Sequence, residues 1–147
     1  MENIYTNEYL ETLLPKWNSV MQEPDAFTQL PLQRDFYARI VKNAKGRTVV
    51  IISDAMRYEV GKELFHRMQD DPKCSAKLEV QLSVLPSYTR LGMAALLPHT
   101  ELTMTDDFKV LVDGLPCDNL SEREAILQKY NADAVCVQFD SIKSLKV

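Results

Sequence analysis

The sequence predicts an α/β fold built on a mostly parallel sheet. An unbroken β-branched run at 48–52 is followed by a helical pattern over 58–68, and a strand pattern over 77–85 is followed by a short apolar helix over 91–97. A run without polar alternation is typical of a strand covered on both faces, and successive strand–turn–helix units build parallel sheets. With 147 residues, 46% of them apolar, the chain is long enough for one domain with a core.

A helical lead-in is expected ahead of this α/β region. Apolar residues recur every three or four positions from 7 to 22, with an interruption near Pro15, and again from 32 to 43. We therefore divide the chain into a lead-in, 1–45, and the front part of an α/β domain, 46–147.

The signals weaken beyond residue 100. A tight Asp113-Gly114 turn predicts a hairpin, Ser121 with Glu124 forms a capping-box pattern ahead of a helix, and 134–139 has the composition of a last strand. An α/β unit usually adds a covering helix after its strand, and none is predicted here. We therefore expect the parallel sheet to be truncated, and an unpaired strand edge to favour a homodimer.

Composition narrows the classes of partner. The 17 basic and 21 acidic residues give a net charge of −4, so unspecific binding to nucleic acid is not expected, and nucleic acid enters only as a substrate. No apolar run approaches the roughly 20 residues of a membrane span, and the start, MENIYTNEYL, lacks the features of a secretory signal. A cytoplasmic location without a membrane partner is expected. The three cysteines lack zinc spacing and are interpreted as ordinary buried or half-buried thiols.

Asp54 is the leading candidate for a functional side chain. It follows the 48–52 run directly, and the carboxyl ends of parallel strands are where open α/β folds bind ligands. A carboxylate on a rigid strand end is a suitable ligand for a divalent metal. The pattern equally allows Asp54 to cap the following helix.

Thr89 stands in the same relation to the second strand pattern. Its hydroxyl is predicted at a helix N-terminus, where backbone N–H groups favour an anion such as phosphate, and a metal nearby would activate the hydroxyl as a nucleophile. A threonine at a helix start is also a common cap, so this alternative stays open.

Two segments around these residues carry a family resemblance. The stretch 51–59, IISDAMRYE, and the later stretch 85–98, LPSYTRLGMAALLP, agree in order and spacing with the PglZ domain of bacterial phage-exclusion (BREX) systems, which the chain resembles most strongly over 48–100. The family is part of the alkaline-phosphatase superfamily of metal-dependent phosphoryl or sulfuryl transfer enzymes. The resemblance therefore implies a doubly wound, alkaline-phosphatase-like core.

The resemblance also implies roles for the two candidate residues. Asp54 would be a ligand of a divalent metal, zinc, and Thr89 the nucleophile that contacts metal and becomes transiently phosphorylated; the complete family site holds two metals. The implied function is that of a fragment of a metal-dependent phosphohydrolase, a phosphatase or phosphodiesterase, in phage defence. Arg57 and Arg90 are nearby cations to which we assign structural roles.

The sequence departs from the family pattern in its later part. The Tyr-His-Asn segment and acidic residues that complete the metal site in PglZ domains do not occur, and His66 and His99 lack ligand spacing. The isolated chain is therefore expected to have little or no catalytic activity. Whether it binds a metal by itself is left open by the sequence.

The alternative function is a non-catalytic docking module of a multi-protein defence complex, with Asp54 and Thr89 as helix caps. A nucleotide-binding domain is disfavoured, because four glycines form no phosphate loop after either strand. The expected partners are a phosphate-ester substrate and other defence-system proteins.

Overall fold

The computed structural model describes residues 3–23 and 29–142, and the chain divides into two units, Met1–Leu30 and Pro31–Val147. In the first unit a π-helical segment, Ile4–Leu10, continues directly into helix α1, Glu11–Met21. The predicted helix is confirmed, but its predicted interruption is wrong because α1 runs through Pro15. The boundary between a lead-in at 1–45 and a domain at 46–147 stays a prediction.

The second unit holds the remaining described elements. The helical pattern over 32–43 is confirmed as two short segments, and the helices predicted after the two strand patterns form as α2 and α3. In chain order the helical elements are the 3₁₀ turn Gln33–Asp35, the π-helical segment Tyr37–Val41, α2 (Tyr58–Gln69), α3 (Thr89–Ala95), α4 (Leu120–Gln128) and α5 (Phe139–Ile142). Among residues 3–23 and 29–142, no helix combines the length and hydrophobicity that crossing a bilayer requires.

The sheet of the described residues is antiparallel, in the order β1-β2-β3. It comprises β1 (Leu102–Met104), β2 (Val110–Val112) and β3 (Leu115–Pro116). The hairpin predicted around Asp113-Gly114 is confirmed: both residues have positive φ, 49° and 77°, as a tight hairpin turn requires. Strand β1 was not predicted.

The core lies where α3 and α4 pack on this small sheet. Val110 and Val112 of β2 are each 1% exposed, and Ala94 of α3 is fully buried. The buried cluster comprises Leu91, Ala94, Leu97, Val110, Val112, Cys117 and Ile126. The best-buried part of the described chain is therefore the stretch that directly follows Thr89.

The predicted parallel sheet is not formed by residues 3–23 and 29–142. The run at 48–52 has no regular secondary structure and pairs with no described strand, with Ile51 81% exposed, and the 77–85 pattern is reduced to one parallel bridge between Leu32 and Leu82. A β-strand is stable only when its N–H and C=O groups pair with a neighbouring strand, and no described segment pairs with 48–52. The doubly wound core is thus not confirmed, and the described fold is helical with a small antiparallel sheet.

The last predicted strand, 134–139, is wrong. Its backbone is bound by α4 side chains instead of a strand: the Cys136 N–H donates to Glu124 Oε2 at 2.7 Å, and Gln128 Nε2 donates to the Ala134 carbonyl at 3.0 Å. Residues from Phe139 onward form α5. Side chains of α4 thus take backbone groups that a neighbouring strand would otherwise bind.

The cap of α4 is displaced from its predicted position. Asn119, not Ser121, is the N-cap, and its side chain accepts from the Glu122 N–H at 2.9 Å while Glu122 reaches back to the Asn119 N–H. Two overlapping capping-box patterns occur here, Asn119 with Glu122 and Ser121 with Glu124. The structure forms the first, and Glu124 instead accepts from the Cys136 N–H.

Gln33 joins three parts of the second unit. Its Nε2 donates to the Gly92 carbonyl of α3 at 3.0 Å, and its Oε1 accepts from the Ser83 hydroxyl at 3.1 Å and the Val84 N–H at 3.2 Å. The Gln33 N–H also donates to the Leu82 carbonyl at 2.8 Å. One side chain therefore fixes α3 relative to the segment that leads into it.

Replacing Gln33 by alanine should lower the free energy of unfolding by about 1–3 kcal/mol, because partly buried groups on Val84 and Gly92 lose their partner. Urea unfolding followed by circular dichroism measures the change. Gln81→Ala is the matched control, since Gln81 is exposed and its side chain makes no hydrogen bond within the described residues. Equal effects of the two substitutions would contradict the bridging role.

Asp113 should make stability depend on acid pH. Its carboxylate accepts from the Glu101 N–H at 2.7 Å and the Thr100 N–H at 3.0 Å, and these bonds, that of Glu101 foremost, hold the pKa of Asp113 below its ordinary value of 3.8. A lowered folded-state pKa means that the stabilisation is complete above the unfolded-state pKa and is lost as pH falls through the folded-state value. Asp113→Asn should therefore lower the melting temperature at pH 7, with the deficit shrinking below about pH 4.

Thermal unfolding from pH 7 to pH 2 checks this expectation. Asp106→Asn serves as the control, because the Asp106 side chain makes no hydrogen bond or ion pair with the described residues. A deficit in Asp113→Asn that stays constant down to pH 2 would contradict the charge-assisted interaction.

Candidate functional site

Asp54 lies in an exposed turn between the unpaired segment at 48–52 and α2. Its Oδ1 accepts the N–H of Ala55 at 3.0 Å, and Ala55 has a φ of 56°, a left-handed conformation that a non-glycine residue adopts at a cost of about 1–2 kcal/mol. Asp54 does not cap α2, because the N-cap is Arg57 and no side chain caps it. Strained backbone is often found at functional sites, so the turn is a reasonable place for a ligand-binding carboxylate.

Thr89 is the first residue of α3 and is exposed. The N-cap is Tyr88, which makes no side-chain cap, and the Thr89 hydroxyl has no hydrogen-bond partner among residues 3–23 and 29–142. The capping alternative is therefore not what the structure shows. A hydroxyl that is exposed and unpartnered is available to an external ligand.

The support beneath Thr89 is rigid. Leu91 and Ala94 bury one face of α3 in the core, and Gln33 binds the Gly92 carbonyl from the opposite segment at 3.0 Å. Packing and a hydrogen bond thus fix the helix that carries the hydroxyl. Sequence reasoning missed Gln33, because a single glutamine in a helical pattern carries no signal of what it will bind.

The two arginines differ in their contacts. Arg90 forms an ion pair with Asp118, 3.6 Å from Nη1 to Oδ1, and both side chains remain partly exposed. Arg57 makes no ion pair with Asp54 or with any other described carboxylate. Arg57 is therefore the more available cation next to the Asp54 turn.

The histidines take no part in a cluster within the described chain. His66 lies on α2 with its ring 5.6 Å from that of Phe65, and His99 Nδ1 lies 2.7 Å from the Leu97 carbonyl. Both contacts are with residues one or two positions away in sequence, and neither involves a carboxylate or a thiol.

The cysteines differ from the sequence interpretation at one position. Cys117 is buried and Cys136 half-buried, and burial is the main cause that raises the pKa of both thiols. Their thiolate forms are therefore disfavoured, and neither is activated as a nucleophile. Cys74 is exposed, which corrects the expectation that all three are at least half-buried.

The structure does not join the candidate residues into one metal site. No hydrogen bond or ion pair links Asp54 to Thr89, and the described ranges contain no group of three or more His, Cys, Asp or Glu side chains that could hold a metal ion. Zinc in a structural or catalytic site takes at least three protein ligands. The described residues therefore do not fit a zinc centre by themselves.

Comparison with known proteins identifies the family. The family model described as the BREX system PglZ alkaline phosphatase-like domain matches residues 34–147. The chain belongs to this PglZ family. The predicted family resemblance is thereby confirmed, and with it membership of a family found in BREX defence systems.

Two curated relatives extend the PglZ similarity to nearly the whole chain. The chain is 36% identical over 152 residues to the alkaline phosphatase-like protein PglZ of Bacillus cereus, with 99% of this chain covered. It is 39% identical over 147 residues to the alkaline phosphatase-like protein BrxZ of Escherichia coli, with 92% covered. The chain spans 18% and 17% of the length of these two proteins. No solved structure gives a significant match.

Proposed function

We propose that the chain forms part of a phosphohydrolase of a bacterial phage-defence system, with Thr89 as the nucleophile and Asp54 as one metal ligand. The observation that carries the proposal is the Thr89 hydroxyl: it is exposed, has no partner within the described residues, and is carried by α3, the described helix with the most buried residues. Membership of an alkaline phosphatase-like family supports the same chemistry.

The proposed reaction is a double displacement at phosphorus. Thr89 Oγ1 forms a bond to phosphorus as its proton passes to solvent, the bond to the leaving oxygen breaks, and that oxygen takes up a proton and departs as an alcohol. Water then attacks the phosphothreonine, which releases phosphate and restores the hydroxyl. The chain's own contribution is the packed helix α3, which fixes the backbone position of Thr89 and so lowers the entropy cost of attack.

Asp54 fits the proposal as a single contributor. One exposed carboxylate in a fixed turn can donate one ligand, and the Thr89 hydroxyl is proposed as a second metal contact. Residues 3–23 and 29–142 contain no cluster of three side chains that could hold a metal ion, so a complete site needs ligands that this arrangement does not bring together. We propose zinc as the metal, with two ions in the complete site. Binding to other defence-system proteins and formation of a homodimer are also proposals.

Thr89→Ala should reduce release of phosphate from 4-nitrophenyl phosphate by about a thousandfold or more in the protein at its full native length, because the attacking oxygen is removed. Ser87→Ala is the matched control, since Ser87 is an exposed hydroxyl close by in sequence without a side-chain partner in the described chain. Steady-state kinetics with zinc supplied measures the effect.

Metal content is tested in parallel with Asp54→Asn and, as control, Asp70→Asn, an exposed aspartate at the end of α2. Loss of a ligand should lower zinc affinity by about 10- to 100-fold, and elemental analysis after dialysis reports it. A native-length protein that holds no zinc and releases no phosphate would refute the phosphohydrolase and favour the docking module.

A further inference from the structure

A surface cavity adjoins the residue before Thr89. It has a volume of about 450 Å³ and is lined by Pro86, Tyr88, Met104 and Phe108. Tyr88 is the N-cap of α3 and packs partly against the core, so one wall of the cavity is formed by the residue that directly precedes Thr89. The volume is within the range of small-molecule sites, which is about 300–1,000 Å³.

Phe108 stands at this cavity in an unusual conformation. It is 67% exposed, and its φ of 60° places a bulky residue in the left-handed region. A hydrogen-bonded turn holds it there: the Phe108 N–H donates to the Thr105 carbonyl at 2.9 Å, and the Lys109 N–H donates to Thr105 Oγ1 at 3.1 Å. The ring is thus presented to solvent by a fixed backbone.

The residues that line the cavity indicate which kind of ligand it can bind. Two aromatic rings, a thioether and a proline ring offer broad apolar contact, and none of the four residues carries a charge. The two charged residues that flank Phe108 pair with each other, since Lys109 Nζ lies 2.7 Å from Asp107 Oδ2. A planar aromatic group suits such walls, because it stacks on rings and contacts sulfur favourably.

We propose that this cavity binds a planar aromatic ring in the alcohol part of the phosphoester whose phosphorus is attacked by Thr89. The inference rests on the proposed function for the identity of the reacting group, and it adds a substrate class: phosphate esters of phenols or nucleosides, in preference to those of simple alkyl alcohols. Phe108 is the residue that determines this preference, and it takes no part in the chemical step.

Binding is tested without turnover, by isothermal titration calorimetry on the native-length protein. Three ligands are compared: phenylphosphonate carries an aryl ring, adenosine 5′-monophosphate carries a nucleobase, and methylphosphonate carries no ring. The titration with adenosine 5′-monophosphate uses the Thr89→Ala variant, so that the ligand is not hydrolysed. Phe108→Asn removes the ring, and asparagine tolerates the left-handed backbone, so the turn should survive. Phe108→Tyr restores a ring, and Phe139→Ala is the control, because Phe139 is 71% exposed and does not line the cavity.

Phe108→Asn should weaken binding of at least one ring-bearing ligand by about tenfold, the effect of one lost stacking contact, and leave methylphosphonate unchanged. Phe108→Tyr should bind as the unsubstituted protein does, and so should Phe139→Ala. Equal affinity of the unsubstituted protein for all three ligands overturns the proposal, as does an equal loss for all three in Phe108→Asn.

The two proposals fail in distinguishable ways. If Phe108→Asn shows the selective loss but the protein releases no phosphate, the aromatic site stands and the phosphohydrolase does not. In the opposite case phosphate release depends on Thr89, but Phe108→Asn changes the KM for 4-nitrophenyl phosphate no more than the KM for glycerol phosphate. The phosphohydrolase then stands and the aromatic site does not.

Discussion

The fold of the second unit depends on the burial of one face of α3. Seven residues are too few for an isolated helix to be stable in water, so α3 exists because Leu91 and Ala94 leave water and join β2 in the buried cluster. Burial of a leucine side chain stabilises by about 1.5–3 kcal/mol. The same packing holds the antiparallel sheet, whose strands of two or three residues could not persist alone. The backbone of Thr89 is positioned by this packing and by the Gln33 bridge.

Local patterns predicted local structure well. α2, α3 and the hairpin at Asp113-Gly114 were all expected, because helix periodicity and a positive-φ turn are encoded within a few neighbouring residues. The capping box was expected two residues too late, since Asn119 and Ser121 both have a glutamate three positions on. Glu124 accepts a hydrogen bond from the Cys136 N–H and therefore does not complete a capping box with Ser121. No local sequence pattern reveals this contact.

Strands proved less predictable because a strand is defined by its partner. The β-branched run at 48–52 has the composition of a central strand, but pairing requires a neighbour from elsewhere in the sequence, and the described residues provide none. The same limit applies to the site. Sequence and family resemblance named Asp54 and Thr89, yet their spatial relation depends on the sheet that would align strand ends, and this sheet is not formed here.

The surrounding structure therefore fixes the backbone of Thr89 more firmly than that of Asp54. Thr89 sits on a helix whose position is fixed by buried contacts, so its geometry follows from the packing of the chain itself. Asp54 is fixed only through its own turn, by one hydrogen bond to Ala55 and a strained φ, on a segment that exposes Ile51 and its neighbours. Exposed β-branched residues cost hydrophobic free energy that pairing and burial would recover. Any partner that covered 48–52 would therefore stabilise the segment and fix Asp54 at the same time, which couples assembly of that sheet to assembly of the proposed metal site.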